Sequence, residues 1–525
     1  MWCGARAMIA GVLRAGIARR VCVRLQHTLS YTGRTTLGQA EMAAFYPSVS
    51  SVPRPTASIA EFNNRYVGKL SNDEPERTYV INGQIRGIRV VGRSMCFVDL
   101  QQQGSALQLI VNHSLVRAQV GDKAAFQDAI AGLRPGDHVQ ATGFPGLSKT
   151  ERTLSLKCRE VPRMLAAAQI AIPQRLTDRV KRQQNRTLDY LVNGLKVLEF
   201  RHKALTALRA YLNRRGFLEV ETPMLSAKSS GANATPFVTH LRGQDKQALE
   251  LRIAPELWLK RLCVGGAQRV YEIGKVFRNE GIDATHNPEF TTLELYQCYA
   301  PLDELLELAQ VLLRDICVAV DTPVSRQLLA EMAQNGGAFR RVEFLPTLSR
   351  ETGVDWAAVD LADSTAIRVA LSGAGIDVPE SIVSPQQILN KLCADYIEDR
   401  YCQSLLPTAI LHHPAVMSPL AKSAGLVANR FELFVCGREL INAYEEENCP
   451  QEQLKKMQLQ QRHREQFHDQ ESMQIDHHYI EAMKYGMPPI GGLGLGIDRL
   501  CMLLLAKARI EEVLPFGCLD DVNRQ

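Results

Sequence analysis

A strand-like run, Arg430-Phe-Glu-Leu-Phe-Val435, meets a Cys436-Gly437 turn and resumes as Arg438-Glu-Leu-Ile-Asn-Ala-Tyr-Glu-Glu446. The turn confines three carboxylates, Glu432, Glu439 and Glu446, to one small region of sheet. Burying that much like charge is costly unless cations neutralise it, so a fold of this segment must bring positive charge to it. Glu432 and Glu439 converge across the turn, an arrangement that can hold magnesium through carboxylates together with a ligand's phosphates. Strand alternation puts Asn442, Tyr444 and Glu446 on one face. An amide, an aromatic ring and an acid there suit an ammonium group. By pattern alone, a solvated acidic edge accounts better for the charge run Glu445-Glu446-Glu447.

Two other segments gain meaning beside this one. Residues 289–299 read as a strand with Phe290, Thr292, Glu294 and Tyr296 on one face, either a wall for a ligand or a polar surface row. Ahead of it, Arg278-Asn-Glu280 and His286-Asn-Pro lie at a hairpin mouth, where a guanidinium could fork onto a phosphate or carboxylate. Downstream, Gly491-Gly-Leu-Gly-Leu-Gly-Ile-Asp-Arg499 lacks both the dinucleotide-binding spacing and the lysine of a Walker loop. Its glycines would let backbone pass close under a flat ligand, with Arg499 reaching a phosphate. A tight packing turn explains the glycines equally well.

At 525 residues the chain is long enough for two or three domains with real cores. No run of eighteen apolar residues appears, which argues against a membrane span. The net charge of +5 is misleading as a nucleic-acid footprint, because residues 1–40 hold six arginines, at 6, 14, 19, 20, 24 and 34, and no acid. Setting those six aside from the 61 basic and 56 acidic side chains leaves a net charge of −1. An Arg-rich, acid-poor start that can form an amphipathic helix reads as an organelle presequence over 1–40, mitochondrial ahead of plastid. A nucleic-acid-binding arm is the alternative. Thirteen cysteines without a C-x-x-C pair argue against a zinc site and fit reduced thiols inside a cell.

Residues 41–78 read as a linker. Over 79–162, five short strands with a helix after the third match a small oligonucleotide-binding (OB) type barrel. In such a barrel Phe97 could stack a base and Gln108 could bond a base edge, although the pattern alone makes Phe97 a core position. A connector spans 163–195. From 196 to 525, helices and strands alternate without a βαβ rhythm, so the expected fold is α+β, an antiparallel sheet flanked by helices. Residues 321–405 are uninformative, and 451–470 read as a charged, solvated helix.

The chain resembles the class II aminoacyl-tRNA synthetases over about residues 79–515. Gly216-Phe-Leu-Glu-Val-Glu-Thr-Pro223 is similar to the first motif of that family. Phe277-Arg-Asn-Glu-Gly with His286-Asn-Pro-Glu-Phe290 is similar to the second, and Gly494-Leu-Gly-Ile-Asp-Arg499 to the third. The barrel places the resemblance in the lysyl, aspartyl and asparaginyl subclass. Arg252-Ile-Ala-Pro-Glu256-Leu and Asn442-Ala-Tyr-Glu-Glu446 resemble the lysyl members. Aspartyl enzymes carry a glutamine at the position of Glu256, and aspartyl and asparaginyl enzymes an arginine at that of Glu446. An aspartate facing Glu446 would be repelled and a lysine ammonium would pair with it.

The resemblance implies a lysine–tRNA ligase working through lysyl-adenylate. It implies that Glu256, Glu294, Tyr296, Asn442, Tyr444 and Glu446 recognise lysine. Arg278, Glu280, His286, Phe290 and Arg499 would handle ATP, with Arg278 and Arg499 the catalytic pair. Glu432 and Glu439 would hold Mg2+, and Phe97 and Gln108 would read the anticodon of tRNA(Lys). Pro223 would lie at a homodimer interface, and the presequence would make this a form for the mitochondrial matrix. An aspartyl or asparaginyl enzyme, or a non-catalytic RNA-binding relative, is the alternative. Two departures stand out: the family's Gly-Gly-Ala-x-Ala-Arg-Pro-Phe loop is Ser230-Gly-Ala-Asn-Ala-Thr235-Pro-Phe237 here. The barrel's Thr-Gly-Glu-Leu element is shortened to Lys149-Thr-Glu-Arg-Thr-Leu154, which leaves the part of Glu151 open.

Overall fold

The computed structural model describes residue 34 and residues 38–232, 234–242, 248–467 and 473–516. Most of the expected leader, and the end of the expected helix 451–470, lie outside the described residues. The chain forms two compact units that divide between Leu195 and Lys196.

The first unit is a closed barrel. Its strands are β1 (Tyr79–Val91), β2 (Met95–Gln102), β3 (Ser105–Asn112), β4 (His138–Leu147) and β5 (Leu154–Cys158). They run in the order β1-β2-β3-β5-β4, and β4 pairs back onto β1. Alternation builds the core: Ile81 and Ile85, then Cys96, Val98 and Leu100, then Leu107, Leu109 and Val111 all turn inward. Two helices, His113–Val120 and Lys123–Ala131, stand where one was expected, separated at Gly121, whose φ is +84°. A further strand, β6 (Arg163–Ala166), pairs with β4 and buries Met164, so the barrel runs past the expected boundary at 162. Within the expected linker, helix Ile59–Tyr66 starts in a Ser58–Glu61 capping box and packs Phe62 and Tyr66 against Tyr79.

Arg34, counted with the leader on composition, is buried in this unit. Its guanidinium donates to Asp137 Oδ1 at 2.5 Å and Oδ2 at 3.2 Å, to the Ala168 carbonyl at 2.9 Å and to the Gly132 carbonyl at 2.8 Å. An arginine that reads as part of an address tag therefore closes a buried ion pair.

The second unit is built on an eight-stranded sheet. Its first members are β7 (Leu218–Glu219), then β11 (Arg269–Phe277) and β12 (Glu289–Cys298), with a small separate sheet of β8 (Leu225–Ser226), β9 (Val238–His240) and β10 (Ala248–Leu251) between them in sequence. After β13 (Arg340–Glu343) and β14 (Thr408–Leu411) comes a short hairpin, β15 (Ser423–Ala424) and β16 (Val427–Ala428). The last three are β17 (Arg430–Val435), β18 (Arg438–Glu445) and β19 (Ile490–Gly496). The order is β13-β14-β17-β18-β19-β12-β11-β7, parallel only at its two edge pairs. Helices Lys196–Arg214 and Leu302–Val320 cover one face, over Leu293, Leu295, Phe431, Leu433, Leu493 and Leu495. Period-two alternation sends the intervening residues to the opposite face, which carries the polar side chains.

Residues 321–405, unreadable from the sequence, are mostly short helices around their own apolar core of Trp356, Phe344 and Ile388. Helices Pro323–Gln334 and Pro385–Cys393 each begin with a capping box and proline in the first turn. Helix Pro450–Phe467 is less solvated than its charge suggested, since it buries Gln453, Met457, Gln460 and His463.

Candidate active site on the polar sheet face

Strand β19 runs between β12 and β18 and supplies three glycines to the polar face. Gly494 lies between Glu294 and Asn442, Gly492 between Tyr296 and Tyr444, and Gly496 opposite Thr292. A Cβ on Gly492 would come within 2.2 Å of Glu446 Oε1 and 2.6 Å of the Tyr296 ring, so only glycine admits both side chains. A Cβ on Gly494 would meet nothing closer than 3.8 Å. The glycine run is thus a floor: one position makes room for protein groups, and the next leaves open space between two functional rows.

Four acidic or cationic side chains meet at one end of this floor. Glu446, just past β18, is buried, and its Oε2 is in ion contact with Lys260 Nζ. Its Oε1 has no hydrogen-bond partner among the described residues. Glu256 Oε1 accepts from Lys260 Nζ at 2.6 Å and from the Tyr444 hydroxyl at 2.6 Å. Glu294 accepts from the Tyr296 hydroxyl at 3.1 Å. Burial and the nearby Glu256 push the Glu294 carboxyl up to about 8. Burial likewise pushes Glu446 well above the usual carboxylate range, against the pull of Lys260. Burial would lower Lys260, but Glu256 and Glu446 outweigh it and keep the ammonium charged. The pocket is rich in carboxylate with an unpartnered oxygen at its centre, which is what a bound cation would satisfy.

The other end of the floor is basic. Arg278, at the end of β11, lies over the Phe290 ring at 5.2 Å and donates from Nε to the Ile253 carbonyl. Arg499, in helix Ile497–Leu504, donates to the Glu439 carbonyl at 3.1 Å and to Glu439 Oε2 at 3.3 Å. Its second nitrogen lies 2.9 Å from His286 Nε2, and His286 Nδ1 lies 2.8 Å from Asp283. Because a guanidinium can only donate, His286 accepts at Nε2 and donates its Nδ1–H to Asp283. Asp498 anchors the start of the helix, accepting from the Thr291 backbone at 2.7 Å and from Arg201. Glu280 lies in the loop between β11 and β12, partly exposed.

Glu432 and Glu439 face each other's field across the β17–β18 hairpin, which carries a bulge between Leu433 and Phe434. Glu432 is held down to about 2: burial opposes, but Arg430 and His413 beside it dominate. Burial and then Glu432 raise Glu439, with Arg499 opposing. Two neighbouring carboxylates, one firmly ionised and one relieved by a nearby cation, are a donor set that fits Mg2+. Asn442 is drawn to this end, its Oδ1 accepting from Arg430 at 3.1 Å. Burial and Glu432 also push Glu398, on the π-helical turn Ala394–Glu398, up to about 7.

In the barrel, Phe97 is not a core residue. Cys96, Val98 and Leu100 fill the interior, and Phe97 stands on the outer face, where Arg89 lies over its ring at 4.9 Å. Gln108 is on the same outer face, paired with Asp99 and accepting from Ser155. Lys260, Arg430, His413 and Asp283 escaped the sequence reading. The sequence signal for Lys260 was its spacing four residues after Glu256 on a short helix, which reads equally as an exposed ion pair.

An antiparallel sheet with an acidic pocket at one end and paired arginines at the other is the catalytic architecture of a class II aminoacyl-tRNA synthetase. Family comparison agrees: the model for tRNA synthetases class II (D, K and N) matches residues 178–519, and the chain belongs to this family. The mitochondrial lysine–tRNA ligase of Saccharomyces cerevisiae is 44% identical over 531 residues, covering 92% of this chain and 91% of that protein. The mitochondrial lysine–tRNA ligase of Schizosaccharomyces pombe is 36% identical, covering 93% and 92%. The lysine–tRNA ligase of Streptococcus suis is 37% identical, covering 88% and 92%.

Proposed function

We propose that the chain ligates L-lysine to tRNA(Lys) through lysyl-adenylate, consuming ATP. The observation that carries this reading is the buried Glu256–Glu446 pocket with its unpartnered Oε1. Such a pocket attracts a substrate ammonium and repels the side chain of aspartate, and asparagine offers it no charge.

The geometry suggests a division of labour. The lysine side chain lies toward Glu446, Glu256 and Tyr444, with Glu294 and Tyr296 completing the pocket and Asn442, beside Gly494 and held by Arg430, at its far edge. Its carboxylate points along the glycine floor toward Arg278, which also holds the α-phosphate of ATP. Phe290 stacks on adenine, with Arg499 on its other side, and His286 and Glu280 contact the nucleotide. The lysine carboxylate then attacks the α-phosphorus in line, and pyrophosphate leaves. Arg278 offsets the charge that develops there. Glu432 and Glu439 would hold Mg2+, which when bound neutralises phosphate charge. The terminal ribose of tRNA attacks the mixed anhydride in the second step, without a protein nucleophile.

Phe97 and Gln108, both half-buried on the barrel's outer face, are suited to stack and bond anticodon bases. Leu218, Met224, Leu225, Val238 and Leu241 are exposed apolar residues around the first motif, which supports a homodimer formed there, with Pro223 in it. The arginine-rich start and the two yeast relatives favour the mitochondrial matrix. Cleavage at residue 40 would remove Arg34 and leave the buried Asp137 without its cation, so processing N-terminal to Arg34 fits the fold better.

Charging of tRNA(Lys) by the full chain with lysine and ATP tests the reading. Lysyl-tRNA is the expected product. Binding of tRNA without charging would favour a non-catalytic relative.

A further inference from the structure

We propose that Lys260 is a positioning residue of the substrate pocket: its ammonium is a built-in counter-ion that holds Glu256 and Glu446 in place and leaves room for one further monocation. The inference rests on the lysine reading above and adds a residue to it.

Lys260 sits one turn after Glu256 in helix Glu256–Val264, and its side chain is 0% exposed. A lysine normally carries its charge to water along a flexible stem, and burying the ammonium is costly without partners. Here Nζ has two carboxylate partners, Glu256 and Glu446, which come from different elements. Tyr444 and Tyr296 add ring faces, with centroids 5.4 and 5.9 Å from Nζ. The same contacts fix the pocket's geometry. Lys260 draws Glu446 by Oε2, and Oε1, against Gly492, has no hydrogen-bond partner among the described residues.

Charge completes the argument. Glu256 and Glu446 bring two negative charges when ionised, the state that a bound cation favours against the burial raising Glu446, and Lys260 returns one positive charge. Glu294, pushed up to about 8, is mostly neutral at pH 7. One negative charge remains for the substrate to balance. Without Lys260, two adjacent buried carboxylates would repel each other, so one would protonate or swing out before any substrate arrived.

ATP–pyrophosphate exchange on the full chain, as a function of lysine concentration, tests this in a double-mutant cycle of Lys260→Met and Glu446→Gln. Lys260→Met alone is expected to raise KM for lysine by about thirtyfold or more, the scale for removing one partner of a buried charge pair, with a smaller change in kcat. In the Glu446→Gln background the same substitution is expected to raise KM by a clearly smaller factor, because one of the two carboxylates that Lys260 holds is already gone. An unchanged KM in Lys260→Met, or the same factor in both backgrounds, would overturn the proposal, since a merely structural lysine acts equally in each. If Lys260→Met does not fold, the double variant carries the test, because it leaves a single buried carboxylate, Glu256, which keeps its Tyr444 hydrogen bond. It is expected to fold with a KM above that of Glu446→Gln alone by no more than that smaller factor, and a double variant that stays unfolded overturns the proposal. Wild-type protein that shows no lysine-dependent exchange would instead overturn the functional reading beneath it.

Discussion

The backbone of Gly492 lies so close to the Glu446 carboxylate that a Cβ there would stand 2.2 Å from Oε1. Sheet floor and substrate acid are therefore fitted to each other through a missing side chain.

Alanine at Gly492 and at Gly494 should behave differently. Gly492→Ala must displace Glu446 or Tyr296, so it should cost about 1–3 kcal/mol of stability and raise KM for lysine by about a hundredfold, the scale of a 1 Å misplacement. Gly494→Ala has nothing within 3.8 Å to clash with and should leave the melting temperature nearly unchanged. Its methyl would occupy the open floor, so exchange activity should still fall. Equal melting temperatures and equal activities would contradict the account.

Proton release should accompany lysine binding. The folded enzyme holds a proton on Glu294 up to about pH 8, against 4.5 for the free side chain. In that window the folded state binds more protons than the unfolded one, so this group's contribution to stability declines as pH rises from about 4.5 through 8. A bound ammonium would lower the pKa and expel the proton. Calorimetry at pH 7 in buffers of different ionisation enthalpy should show release, reduced in Glu294→Gln.

Asp283 should matter for ATP through His286. Removing the carboxylate in Asp283→Ala frees the imidazole to take the tautomer that faces Arg499 with a donor. KM for ATP should rise about tenfold, with KM for lysine nearly unchanged, as expected when a group that orients a binding side chain is lost. Steady-state kinetics in both substrates would check the split.

The Arg34–Asp137 pair should be a large contributor to barrel stability. Both side chains are almost fully buried, at 1% and 0% exposure. Arg34→Ala should cost about 3 kcal/mol, because it leaves a buried carboxylate without its cation and held only by the backbone N–H groups of Arg134 and Ala168. Urea unfolding would measure this, and intact-mass analysis of protein from mitochondria should find Arg34 retained.

Much of this was legible from local pattern. Alternation placed Phe290, Thr292, Glu294 and Tyr296 on one face, and the glycine run was read as a close approach of backbone. The charge run at 445–447 misled for a physical reason: Glu445 and Glu447 are held by separate partners, Asn429 on one side and Lys422 with Lys456 on the other, while Glu446 turns inward between them. By pattern alone Phe97 read as core, and only the resemblance made it a base-stacking candidate, because a lone aromatic in a strand has no face until its neighbours Cys96 and Val98 are seen to be inside. Lys260 and Arg34 were invisible for one shared reason. Their meaning comes from carboxylates 186 and 103 positions away in sequence, and only the fold brings those charges together.

The most direct test is ATP–pyrophosphate exchange by the full chain with lysine, aspartate or asparagine, beside Glu446→Gln. The account predicts exchange with lysine alone, and a loss of about a hundredfold in kcat/KM for the variant, as for removing a buried charge partner. Exchange with aspartate or asparagine, or a variant as active as the wild type, would contradict it.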